Sequence, residues 1–101
     1  MPNLYAFTSS GDTPRQRGIG TTSTKVLDDT PSRQGLVMVN LSDGTVYIAF
    51  GNSAVVGSGI AILPFGGAFT MSDYTFSKEI VEAIAQSAAS HLAVQEFLHR
   101  P

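Results

Sequence analysis

Gly35-Leu36-Val37-Met38-Val39-Asn40-Leu41-Ser42, then Asp43-Gly44, then Thr45-Val46-Tyr47-Ile48-Ala49-Phe50 is the stretch that decides the fold. Two runs rich in β-branched and aromatic residues flank a dipeptide that favours a two-residue type I′ loop, which predicts a β-hairpin. The turn sets a register with Ser42 opposite Thr45, Leu41 opposite Val46, Val39 opposite Ile48 and Val37 opposite Phe50. Because strand side chains alternate, Val37, Val39, Leu41, Val46, Ile48 and Phe50 then share one face, the predicted core. The other face carries Leu36, Met38, Asn40, Tyr47 and Ala49. It is too apolar for a fully wet surface, and Leu36, Met38 and Tyr47 become the candidate interface.

Working outward, short strands are expected at Thr24–Leu27, Ile60–Leu63 and Ala68–Met71, separated by turn residues such as Thr30-Pro31-Ser32, Gly57-Ser58-Gly59 and Pro64-Phe65-Gly66-Gly67. Strands this short at this spacing indicate an all-β chain, a small antiparallel β-sandwich or flattened barrel. Residues 1–22, with Ser9, Ser10, Gly11, Pro14, Gly18 and Gly20, offer little to bury. They read as a flexible, extended N-terminal arm leading into a β-sandwich domain over 23–101. Leu4, Tyr5 and Phe7 are its only apolar anchors, and Tyr5, Phe7, Arg15 and Arg17 are the candidate arm contacts. Residues 78–99 are ambiguous. Their alanines, glutamates and leucines favour a helix capped by Ser77. As a hairpin turning at Ser87-Ala88-Ala89-Ser90, with Ala85 facing Leu92 and Ala83 facing Val94, they would place Val81, Ala83, Ala85, Leu92 and Val94 on one face.

The composition bounds the function. One hundred and one residues suffice for one domain. Only 14% of residues are charged, against about 25% in typical soluble domains, a hint of surface covered by a partner. A net charge of −2 carries no nucleic-acid footprint. No cysteine is present, which excludes disulfides and thiolate metal sites. The first thirty residues hold no continuous apolar run, so no secretory signal is expected. The uncharged stretch between Asp43 and Asp73 is long enough to cross a bilayer, but its glycines, Asn52 and Pro64 fall like turns between strands.

No motif assembles a catalytic, cofactor or metal site, and the chain is expected not to be an enzyme. His91 and His99 lie too far apart on a strand, roughly 26 Å, to share a metal. Gly51-Asn52-Ser53-Ala54-Val55 lacks the closing glycine of a nucleophile elbow. Gly57-Ser58-Gly59-Ile60-Ala61-Ile62 lacks the third glycine of a dinucleotide fingerprint. Asn40-Leu41-Ser42 matches a glycosylation sequon but falls within a predicted strand. Asp28-Asp29 reads as an acidic turn, and Arg15 and Arg17 suit phosphate or carboxylate on a partner.

The run Ser32–Asn40, followed by Val46-Tyr47-Ile48-Ala49-Phe50-Gly51, Gly57-Ser58-Gly59-Ile60 and Leu63-Pro64-Phe65-Gly66-Gly67, resembles small virion proteins of tailed bacteriophages. In those sequences a strand ending in asparagine precedes a tyrosine-bearing strand closed by Phe-Gly, then Gly-x-Gly and Pro-Gly-Gly turns and a final hairpin. Residues 80–85 and 92–96 match that hairpin; Phe65 interrupts the Pro-Gly-Gly turn, and the arm has no counterpart. The resemblance covers about residues 24–98 and tips 78–99 towards a hairpin. It implies a capsid decoration or cement protein, commonly a β-sandwich homotrimer, bound to the major capsid protein on the virion surface after synthesis in the host cytoplasm. A tail, baseplate or head-fibre component is the alternative within that class. A carbohydrate- or ligand-binding β-sandwich is the alternative outside it. Neither membrane nor direct nucleic-acid binding is expected.

Overall fold

The structure, a computed structural model, describes residues 8–72 and 77–100. These form nine strands: β1 (Thr8–Gly11), β2 (Arg15–Ile19), β3 (Thr24–Leu27), β4 (Arg33–Asn40), β5 (Val46–Phe50), β6 (Ile60–Ile62), β7 (Ala68–Thr70), β8 (Val81–Ala85) and β9 (Ser90–Arg100). One sheet has the order β1-β9-β4-β7, with β2 also pairing β9; the other has the order β3-β8-β5-β6. All pairings are antiparallel. The chain is thus an all-β, two-sheet sandwich, as its turn spacing predicts.

The pairings nest. β5 pairs β6, β4 pairs β7, β3 pairs β8 and β2 pairs β9. This is one long hairpin, with its tip in the β5–β6 loop, rolled so that alternate pairs fall into opposite sheets, the topology of a jelly roll. Ile19, Leu36, Met38, Phe69, Leu92 and Val94 of the first sheet close on Val26, Leu27, Val46, Ile48, Ile62 and Val81 of the second. Each fully buried aliphatic side chain stabilises the fold by about 1.5–3 kcal/mol.

The predicted hairpin over 35–50 does not form. β4 and β5 are both strands but lie in opposite sheets, so residues 41–45 cross between layers. A type I′ turn needs positive φ at both central residues. Neither Asp43 nor Gly44 has it. The core face of β4 is consequently reversed. Leu36, Met38 and Asn40 point inward, while Val37 and Val39 are half-buried on the outside and Leu41 is exposed. Val46 and Ile48 are core as expected, and Phe50 packs partly against it. Fully buried Leu36 and Met38 cannot be an interface; Tyr47, on the outer side of β5, is half-buried.

The C-terminal segment contains two strands and no helix, but β8 and β9 also lie in opposite sheets instead of pairing. Val81, Ala83, Ala85, Leu92 and Val94 are nonetheless all buried. They meet across the core, not along a ladder. The expected free arm is likewise corrected. Residues 8–11 and 15–19 run along β9, with Arg15 opposite Val94 and Ile19 opposite Ser90. Backbone pairing gives these residues a place that their Gly- and Ser-rich side chains do not reveal, and Ile19 anchors them in the core.

Candidate interaction surface

The roll places the loops at two ends. The upper end holds residues 20–23, 41–45, 63–67 and 86–89; the lower end holds residues 28–32, 51–59 and 77–80. A fully buried polar side chain with several hydrogen bonds stands at each end, Asn40 at the upper and Arg33 at the lower.

At the upper end Asn40 is fully buried. Its amide nitrogen donates to Gly44 O at 2.8 Å and Ile62 O at 2.9 Å, and its amide oxygen accepts from Ser42 N–H at 2.9 Å. One side chain thereby fixes the layer crossing and joins the two sheets. A buried asparagine so engaged is no glycan acceptor.

The neighbouring β6–β7 loop is pinned to this crossing. Phe65 N–H donates to Ser42 O at 2.9 Å, Gly66 N–H to Asn40 O at 2.8 Å, and Asn40 N–H to Gly67 O at 2.8 Å. A Cβ on Gly67 would overlap the Leu63 backbone, so the turn requires glycine there. Phe65 and Gly66 have φ of 58° and 96°. Left-handed geometry is easy for Gly66 and costs Phe65 about 1–2 kcal/mol. Nothing in the core compensates, because Phe65 is 80% exposed. Leu63 and Leu41, at 63% and 51% exposure, sit at the same end.

The second surface is the outer face of the β9–β4 ladder. Val39 pairs with Ala93, Val37 with Gln95 and Gly35 with Phe97. Val37, Val39, Ala93, Gln95 and Phe97, walled by Pro14 and Arg15, line an open groove of about 310 Å³. Gln95 Nε2 donates to Asp12 O at 2.9 Å, which folds the β1–β2 junction along the groove. Val37, Val39, Ala93 and Phe97 make the floor apolar, and Arg15 and Gln95 are its polar edge.

The sequence-predicted contacts fall differently. Arg15 is exposed and forms a 3.0 Å ion pair with Asp12. Arg17 Nε donates to Val26 O at 3.2 Å, bridging the two sheets. Tyr5 and Phe7 lie outside the described residues. His91 and His99 are both on β9, eight positions apart. Asp28 pairs with Lys25 at 2.6 Å. Gly57 and Gly59 are positive-φ turn residues. Among the described residues no cluster of three or more His, Asp or Glu is placed to hold a metal, and no helix is long and apolar enough to cross a membrane. Sequence reasoning missed the groove and Phe65. The aromatic residue between Pro64 and Gly66, where a turn favours small or polar residues, was the available signal.

No protein-family model matches the chain, and no curated protein matches it in sequence. A solved structure described as "Bacillus endospore appendages form a novel family of disulfide-linked pili" is similar in fold. Its TM-score is 0.51 at 17% identity, over 91% of this chain and 88% of that one.

Proposed function

We propose that this chain is a non-enzymatic structural subunit that works within a protein assembly, as a decoration or cement protein on a tailed-phage capsid. One observation carries the assembly reading. The core is sealed at its upper end by Asn40, yet Leu41, Leu63 and Phe65 are held out in water there, Phe65 in unfavourable backbone geometry. The resemblance of residues 24–98 to phage virion proteins directs it to the capsid, and jelly rolls are common in capsid domains. A subunit that binds the assembled shell and not its free components shifts the equilibrium towards assembly. Copies associated as a trimer and bridging neighbouring capsomers can do so through individually weak contacts.

A second reading, a subunit of an extracellular appendage, is favoured by the fold likeness to the endospore pilus. That pilus is described as disulfide-linked; this chain has no cysteine, so its copies would be held without disulfides between these residues. The discriminating experiment incubates the purified protein with empty phage capsids, then pellets and images both the mixture and the protein alone. Symmetric extra density on capsids supports the decoration reading, and filaments of the protein alone support the appendage reading. A protein that binds no shell and forms no oligomer at any concentration sinks both.

A further inference from the structure

We propose that the 63–67 loop of one copy docks in the outer β9–β4 groove of a second copy, with Phe65 as the inserted side chain. The inference rests on the assembly reading and names the partner of its exposed end. Three observations carry it.

First, a turn with consecutive left-handed residues would be better served by glycine or asparagine at position 65. Phenylalanine there gains little from the described residues, since 80% of its surface is in water. A second copy can supply that gain.

Second, the same chain offers a receptor of matching chemistry. The groove is floored by Val37, Val39, Ala93 and Phe97, and its volume of about 310 Å³ has room for an aromatic ring. Phe97, lying over Gly35, gives that ring an aromatic neighbour. Phe65 of the same copy is exposed at the upper end and so is not seated there.

Third, the charges match. Asp43 follows Ser42, whose carbonyl accepts the Phe65 N–H, and it is exposed beside the loop. Arg15 stands at the groove wall and forms an exposed pair with Asp12. Such a pair is weak and is exchanged at little cost. Docking brings Asp43 of one copy towards Arg15 of the next.

Because loop and groove are unlike surfaces, the contact is heterologous and repeats around a ring or along a file of copies. One aromatic side chain buries about 150–250 Å², far below the roughly 1,200 Å² of a stable pairwise interface. Isolated pairs therefore dissociate, and the contact accumulates where copies are concentrated or held on a shell.

The test places benzoyl-phenylalanine at position 65 of the full chain, mixes it with isotope-labelled unmodified chain at rising concentration, and maps the photo-adducts by mass spectrometry. Adducts to peptides spanning 35–39 or 93–97 of the labelled copy are expected. Adducts confined to the same chain, to other surfaces or, when empty capsids are added, to the shell protein alone overturn the proposal. In parallel, Phe65→Gly should leave thermal stability unchanged or raised while weakening self-association at least tenfold. Asp43→Arg and Arg15→Asp should each weaken it, and their combination should restore it. If Phe65→Gly associates like the parent, this contact falls and the assembly reading stands. If the intact chain associates neither with itself nor with a shell, both fall.

Discussion

The two ends of the sandwich solve the same problem differently. At the lower end Arg33, fully buried, donates from Nε to Glu96 at 2.7 Å and from its terminal nitrogens to the carbonyls of Asp28, Ser77 and Glu79 at 2.9, 3.1 and 2.8 Å. The guanidinium plugs the core and ties the β3–β4 connection and residues 77–79 to β9. At the upper end the neutral amide of Asn40 does the equivalent work with three hydrogen bonds. Both plugs are satisfied by partners. Both ends set apolar side chains outside the seal, Val55 and Val56 at the lower and Leu41, Leu63 and Phe65 at the upper, but only the upper end holds an exposed aromatic in left-handed backbone geometry. Exposure of Leu41, Leu63 and Phe65 is therefore not residue left over from an unfinished core. It is an addition to a finished one.

The largest expected effect is at the charged plug. Arg33→Met leaves the Glu96 carboxylate buried without its cation and strips three carbonyls of their donor, a loss of about 3–5 kcal/mol. Urea unfolding measures it. The double variant Arg33→Met with Glu96→Leu should recover part of the loss, since no charge remains buried, but not all, since the carbonyls stay unpaired. A single variant within 1 kcal/mol of the parent, roughly the value of an exposed ion pair, would mean water enters this end and the contrast between plugs is false.

Asn40→Ala comes next. Losing bonds to Gly44, Ile62 and Ser42 should cost about 2–3 kcal/mol, as expected for buried groups left unsatisfied. It should also loosen the crossing, which amide exchange at Ser42 and Gly66 reports. Faster exchange at the lower-end Gly51 N–H, bonded to Ile80 O, without change at the upper end would break the assignment of Asn40 to its end.

The strands themselves were legible in the sequence because glycine, proline and serine punctuate them. Thr24–Leu27 and the strands at 60–62 and 68–70 lie where the turn residues put them. Pairing was not legible. Alternation says which residues of one strand share a face, but not which face is inward or which strand lies alongside. In β4 both faces are apolar, and Asn40 on the inner one made it look like the outer. Its burial makes sense only once Ile62, twenty-two positions away, supplies a carbonyl. The set Val81, Ala83, Ala85, Leu92 and Val94 survived the wrong pairing because inward alternation is the same whether partners sit beside or across. The groove was hidden for a related reason. Val39 and Ala93 are neighbours only through the β4–β9 ladder, a contact over fifty residues that no local pattern announces.

A smaller effect of opposite sign is expected from Phe65→Gly. Relieving the left-handed phenylalanine should stabilise the monomer by about 1 kcal/mol, less the backbone entropy that glycine loses on folding. Differential scanning calorimetry at dilute concentration reads it. A clear drop in melting temperature would show that Phe65 serves its own fold, and the upper end would lose its distinction from the lower.

The smallest effect concerns the surface of the lower end, where Lys25 and Asp28 form a 2.6 Å pair in full solvent. The hydrogen bond from Lys25, then its charge, holds the Asp28 carboxyl below its ordinary value of 3.8. The hydrogen bond to Asp28 and its charge likewise raise the Lys25 ammonium above 10.5. A carboxyl with a lowered folded-state pKa stabilises above its unfolded value, and that contribution is lost as pH falls through the folded value. The raised ammonium contributes fully below its unfolded value and loses that contribution as pH rises through the higher folded one. The stability difference between the parent and Asp28→Asn should therefore be small and flat from about pH 5 to 9. It should fade as pH falls below 3.8 through the lowered folded value of Asp28, and again as pH rises past 10.5 through the raised folded value of Lys25. High salt should shrink it throughout, because exposed pairs are screened. Arg33–Glu96, a few residues away but out of water, should be nearly indifferent to the same salt. Equal salt sensitivity of the two pairs would erase the difference between plug and surface on which the comparison of the ends depends.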